Sequence, residues 1–112
     1  MADEQLVALM HDEKHAEFNE YARKIAEQNM RMDLSHAKLR ACDLRKFDLR
    51  GADLTGAYLR LTDLRGLDLS TTLLDGASIG EAKISGVLFP PDLPATEIQL
   101  SHLHGTRMRA TR

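Results

Sequence analysis

One spacing constrains this chain more than any other. From Met32 to Pro90, the residues Leu34, Leu39, Leu44, Leu49, Leu54, Leu59, Leu64, Leu69, Leu74, Ile79, Ile84 and Phe89 recur at every fifth position without a slip. Two positions before each lies a residue that is usually small or apolar: Met32, Ala37, Cys42, Phe47, Ala52, Ala57, Leu67, Ala77, Ala82 and Val87, with Thr62 and Thr72 in the remaining places. Asp often fills the position between. A period of five suits neither an amphipathic helix, which repeats near 3.6, nor a half-buried strand, which repeats at two. Repetition at a fixed short period instead implies stacking, in which no unit buries its own apolar face and each relies on its neighbours.

The unit, roughly A(D/N)Lxx and clearest in Gly51-Ala52-Asp53-Leu54-Thr55-Gly56-Ala57-Tyr58-Leu59-Arg60, resembles the pentapeptide-repeat family over residues 32–90. The resemblance implies an all-β solenoid: a right-handed quadrilateral β-helix of about three coils. Five residues form one side, and twenty complete a square coil. Side-chain size gives a separate check on that register. Residues twenty apart form the columns Ala37/Ala57/Ala77, Phe47/Leu67/Val87, Cys42/Thr62/Ala82 and Met32/Ala52/Thr72. One column is uniformly small and another uniformly large, which is how a narrow core packs densely. With coils ~4.8 Å apart, three coils make a rod of only about 14 Å.

The sequence divides into a capping helix at residues 1–30, the repeats at 31–91, and a C-terminal cap and tail at 92–112. Asp3 is a candidate N-cap for one helix over residues 3–28. Its apolar stripe is Leu6, Val7, Met10, Phe18, Tyr21, Ala22 and Ile25, interrupted by Lys14. Such a helix spans about 39 Å at 1.5 Å per residue. It would overhang a square coil and leave Leu6, Val7, Leu9 and Met10 uncovered. In the tail, Leu93, Ile98, Leu103 and Met108 keep a period of five that could build a fourth coil. Alternatively Pro94 opens a helix, Glu97 favours its first turn and Gly105 ends it. The helix is preferred, with a frayed basic end at Arg107, Arg109 and Arg112.

Outside the leucines, the repeats carry Asp33, Asp43, Asp48, Asp53, Asp63 and Asp68 before the central residue, and Arg40, Arg45, Arg50, Arg60 and Arg65 after it. Stacking places Arg40 with Arg60 and Arg45 with Arg65. The side holding Lys38, Arg40, Tyr58 and Arg60 has no acid of its own. The candidate partner-binding residues are therefore Lys38, Arg40, Arg45, Tyr58, Arg60 and Arg65. The competing reading has these long side chains covering the leucine layer and pairing with the aspartates. Leu73 and Leu88 fall outward on the third coil and need a cover. Together with Leu6, Val7, Leu9 and Met10 they are the candidate homodimer contacts. The glycines at 51, 56, 66, 76 and 86 mark corners, where tight turns favour glycine.

No nucleophile with a partner base, no convergent carboxylate pair and no cofactor fingerprint stands out. His11 and His15, four apart, could share a metal on one helix face. No third ligand is evident, and a solvated face is the better reading. The single Cys42 falls on an inner position and reads as a small buried hydrophobe in a reducing compartment. No apolar run approaches membrane-spanning length, and no signal-peptide core occurs in residues 1–30. The expectation is a cytoplasmic, non-enzymatic protein with no catalytic, metal or cofactor-binding residues, whose partner is another protein. Some pentapeptide-repeat proteins mimic duplex DNA and bind DNA gyrase, which makes gyrase binding the alternative. Duplex DNA carries about one negative charge per 1.7 Å, so a mimic of this length needs roughly eight. From residue 31 onward there are ten acids against twelve Lys and Arg, a net of +2. Length and sign both argue against mimicry, and against direct nucleic-acid binding no stronger case is needed than the weak, mixed charge.

Overall fold

The computed structural model describes residues 2–111 and contains α1 (Glu4–His11), α2 (His15–Glu27), the repeats, and α3 (Ala95–His104). Across the repeats, parallel bridges join residues twenty apart: Asp33 to Asp53 to Leu73, Lys38 to Tyr58 to Ser78, Asp43 to Asp63 to Lys83, and Asp68 to Leu88. Among the described residues these remain isolated bridges, and helices hold most of the regular secondary structure. The cause is the corner. At most corners, Lys46 and Thr71 excepted, the residue two after the central one turns into the left-handed region, with φ of 59° at His36, 64° at Ala41, 75° at Gly51 and 62° at Leu61. These turns cut the extended runs short, so the bridged residues stand singly.

The central leucines from Leu34 to Leu74 and Ile79 are buried, and so are Ala37, Ala52, Ala57, Ala77 and Ala82. Thr62 and Thr72 enter the same core because their hydroxyls donate to Leu59 O and Leu69 O, each at 2.7 Å. A buried hydroxyl with its own acceptor avoids the cost of an unpaired polar group. The aspartates before the leucines have a backbone role as well. Asp43, Asp53 and Asp63 accept the N–H of Arg45, Thr55 and Arg65 at 3.2, 3.0 and 3.2 Å. A carboxylate bonding the amide two residues on fixes the turn that follows.

Both open ends of the stack are closed by specific groups. Within it, Leu34 N–H donates to Asp53 O and Asp53 N–H donates to Met32 O, each at 2.9 Å. The first coil has nothing before it, so the N-terminal segment supplies the partners. Asp3 N–H donates to Asp33 O at 2.8 Å, and His11 Nε2 donates to Lys38 O at 2.8 Å. Asn19 accepts from Asp48 N–H at 2.7 Å and donates to Lys46 O at 2.8 Å. At the other end, Met108 exchanges bonds with Gly76 N–H and Ala77 O at 2.6 and 2.8 Å. Ser101 Oγ accepts from Ile79 N–H at 2.9 Å, His102 O accepts from Glu81 N–H at 3.0 Å, and His102 Nε2 donates to Ala82 O at 2.9 Å. Gly80 permits this approach, since a Cβ there would lie 3.1 Å from Gly105 Cα.

Two expectations change. The N-terminal helix is not continuous. It breaks at residues 12–14, where Glu13 takes φ of 59° and Lys14 N–H reaches back to Leu9 O at 2.9 Å. A straight 39 Å helix would exceed the longest dimension of the molecule, 34 Å. Bending instead lays both halves on the first coil. Leu6 and Met10 are only 2% and 1% exposed, Val7 and Leu9 are half-buried, and the overhang expected to offer them to a second copy does not form. Phe18 of α2 packs edge-on against Phe47, with ring centroids 5.1 Å apart. The tail forms the helix and not a fourth coil, with Asp3 and Gly105 capping α1 and α3 as expected. It does not fray, because Met108 is fully buried and Arg109 pairs with Glu97 at 3.0 Å. Arg112 lies outside the described residues.

Candidate partner-binding face

The six basic and aromatic candidates fall into two groups with different electrostatics. Arg45 and Arg65 are neutralised where they stand. Arg45 makes bonds of 2.9 and 2.8 Å to the Asp43 carboxylate and lies 3.3 Å from Asp63 of the next coil. Arg65 grips Asp63 at 2.9 and 2.7 Å. Arg45, Arg65 and their two carboxylates alternate along this side, and Lys83 follows on the third coil. The Arg65 hydrogen bond, with Arg45 adding its charge, holds the Asp63 carboxyl at about 2. The same bond from Arg45 lowers Asp43.

Lys38, Arg40, Tyr58 and Arg60 lie on a different side. Lys38 and Tyr58 are bridged neighbours, and Tyr58 is 39% exposed. Among the described residues Lys38 and Arg40 have no ion-pair partner, whereas Arg60 reaches Glu81 at 3.7 Å. The expectation that this side lacks any acid is thus corrected at its C-terminal end, where the corner residue Glu81 turns toward Arg60. A fourth cation compensates. Arg107 places its guanidinium carbon 5.8 Å from the Tyr58 ring centroid and donates to Tyr58 Oη at 3.1 Å. An arginine over an aromatic face is held by the ring quadrupole and keeps its charge available. Lys38, Arg40, Arg60 and Arg107 against Glu81 give this face +3. The periodicity could not reveal Arg107, which lies outside the repeats.

The structure also joins two residues that the spacing kept apart. Cys42 Sγ lies 3.5 Å from His11 Nδ1, while His11 Nε2 is committed to Lys38 O. A carbonyl only accepts, so Nε2 carries the proton and Nδ1 receives the thiol. Burial, followed by the charge of Glu13, pushes the Cys42 thiol up. A nucleophilic thiol needs the opposite shift. The pair fastens α1 to the first coil. Cys42 is half-buried and not fully buried, unlike Ala37 and Phe47, which begin the flanking columns. His15 begins α2 after the break and stands edge-on to Phe47 at 6.4 Å, so His11 and His15 share no helix face. Of the outward leucines, Leu73 is half-buried and Leu88 is 59% exposed.

The family model for pentapeptide repeats matches residues 33–70 and 55–89, with eight copies of the repeat, and together the two matches cover half of the chain. The chain belongs to the pentapeptide-repeat family. No curated protein and no solved structure matches it. Among the described residues of this pentapeptide-repeat protein, no helix is long and apolar enough to cross a membrane, and no group of three or more His, Cys, Asp or Glu could hold a metal.

Proposed function

We propose that this pentapeptide-repeat protein is a non-catalytic interaction module. Its repeats are read as a right-handed quadrilateral β-helix of three coils that holds one flat basic side rigid for a protein partner in the cytoplasm. The observation that carries this reading is the face of Lys38, Arg40, Tyr58, Arg60 and Arg107, with a single acid at its edge. On the neighbouring side Asp43 and Asp63 pair with Arg45 and Arg65 and leave only Lys83, a net of +1 against +3, so the imbalance is largest on this face. Aromatic and arginine side chains together are the usual energetic centres of protein interfaces. The duplex-mimic alternative needs the opposite sign, and the repeats with the tail carry +2.

The test is capture from the native cell with two baits, the intact protein and an Arg40→Glu/Arg60→Glu variant. Both arginines point outward, so the variant should melt with the parent. A partner that is identified, purified and shown to bind the parent at least tenfold better than the variant supports the reading. A purified partner that binds both baits alike would move the interface elsewhere.

A further inference from the structure

The basic face does not end at Lys38. Where α1 crosses the edge of the first coil, a cleft of about 370 Å³ opens between them, lined by Ala2, Val7 and Ala37 with Ser35, His36 and Lys38, and with Glu4 at its rim. That volume lies at the lower end of sites that hold small ligands. Its walls are mainly apolar. The cleft exists because α1 is pinned at both ends, by Asp3 N–H on Asp33 O and by His11 Nε2 on Lys38 O, and spans the coil edge between them. Lys38 belongs to both features. It lines the cleft and begins the run of charge that continues through Arg40 to Arg60 and Arg107.

We infer that cleft and face form one binding site for an acidic, extended peptide segment bearing a single apolar anchor. This rests on the interaction-module reading and names its partner class. Charge complementarity selects the acid: four cations stand against Glu81 on the face and Glu4 at the cleft, a net of +2 for the combined site. The apolar cleft selects the anchor, since an ion pair alone on an exposed surface adds little and is screened by salt. Glu4 sets the order. It repels a carboxylate beside the cleft, so the anchor enters there and the acids follow beyond Lys38. Tyr58, stiffened by Arg107, supplies a flat surface between them. At ~3.4 Å per extended residue, about three residues cover two coils at ~4.8 Å each, so a six-residue segment is long enough to fill the cleft and run over the whole face.

The probe is a fluorescein-labelled peptide of one leucine followed by five glutamates, compared with the same peptide carrying serine for leucine and with a six-nucleotide single-stranded DNA. Binding is read by anisotropy at low and physiological salt. The inference expects the leucine peptide to bind at least tenfold tighter than the serine peptide. Arg40→Glu/Arg60→Glu should weaken both peptides at least tenfold. Val7→Asp should erase only the leucine advantage, and Ala2→Asp serves the same purpose if Val7→Asp does not fold. Equal binding of the two peptides would overturn the anchor, and DNA binding as tight as the leucine peptide would reduce the site to a general polyanion face. No binding of either peptide overturns the inference outright. The module reading is separable, because it stands or falls on the purified partner and its discrimination between the two baits.

Discussion

Asn19 is the most informative residue to change, because it does at the first coil what a preceding coil would do. Its side chain accepts from the part-buried Asp48 N–H at 2.7 Å and donates to the exposed Lys46 O at 2.8 Å. Asn19→Ala removes both bonds and leaves the helix a good former in its place. The Lys46 carbonyl can turn to water, so its loss is worth about 0.5 kcal/mol, whereas the half-buried Asp48 amide loses about 1 kcal/mol. The expected destabilisation is thus about 1.5 kcal/mol, against a total of roughly 6–17 kcal/mol for a chain of this size. The variant should fold, with a midpoint lowered by about 5 °C. Local exchange is the sharper assay. The Asp48 amide should exchange about fivefold faster by local opening in Asn19→Ala, since its loss is about 1 kcal/mol and 1.4 kcal/mol is a factor of ten, while amides of the middle coil move only with global stability. Asn19→Asp separates the two bonds: it keeps the acceptor for Asp48 N–H and loses the donor to Lys46. Its Asp48 amide should stay protected despite lower stability. An Asp48 amide that exchanges freely in the parent, or a loss below about 0.3 kcal/mol with unchanged exchange, would refute the capping argument.

Leu54 is fully buried in the middle coil, and Leu54→Ala should cost about 2–5 kcal/mol by urea unfolding. A loss under half a kcal/mol would contradict the stacked core. Corners should respond in opposite senses. Ala41, exposed at φ 64°, should gain about 0.5–1 kcal/mol on Ala41→Gly, and Gly51→Ala should lose a similar amount even though its new Cβ meets nothing within 4 Å. Acid should weaken the fold with a definite sign. The Asp63 carboxyl is depressed, so its contribution is full above the unfolded value of about 3.9 and disappears as pH falls through about 2. Carboxyl shifts followed by NMR should titrate Asp63 last among the aspartates, and Arg65→Lys should raise its midpoint. Light scattering tests the exposed leucine of the third coil: if Leu88 covers a second copy, the intact chain is a dimer at tens of micromolar and Leu88→Asp is a monomer.

The parts of this structure that could be read from sequence are those that repeat. Twelve positions in phase specify the stacking direction, and the size columns specify its register, because each position sees the same surroundings one coil away. Helix ends were legible where a residue carries the signal itself, as Asp3 and Gly105 do. The break between α1 and α2 has no such signal. Glu13 turns left-handed without a glycine, and only the gap in the apolar stripe at Lys14 hints at it. Contacts between segments outside the period were equally silent. Cys42 meets His11 across 31 positions and Arg107 meets Tyr58 across 49. Nothing local in either member marks the other.

That asymmetry explains why the candidate site was half-legible. Lys38, Arg40, Tyr58 and Arg60 follow from the stack alone, since residues twenty apart must share a side. Whether their charge is free depends on the caps. The tail could have neutralised this face, as Asp43 and Asp63 neutralise Arg45 and Arg65 on the next one. Instead it brings Arg107 onto Tyr58, while Glu97, one of its two acids, is occupied by Arg109. The N-terminal segment carries seven acids against three Lys and Arg, yet the residue α1 sets over Lys38 is His11, bonded to the backbone and not to the ammonium. The caps satisfy the coil edges through backbone groups, the Asn19 amide, the Ser101 hydroxyl and two imidazoles. They close the ends of the stack without drawing on the cations of one side, and those cations are left facing solvent.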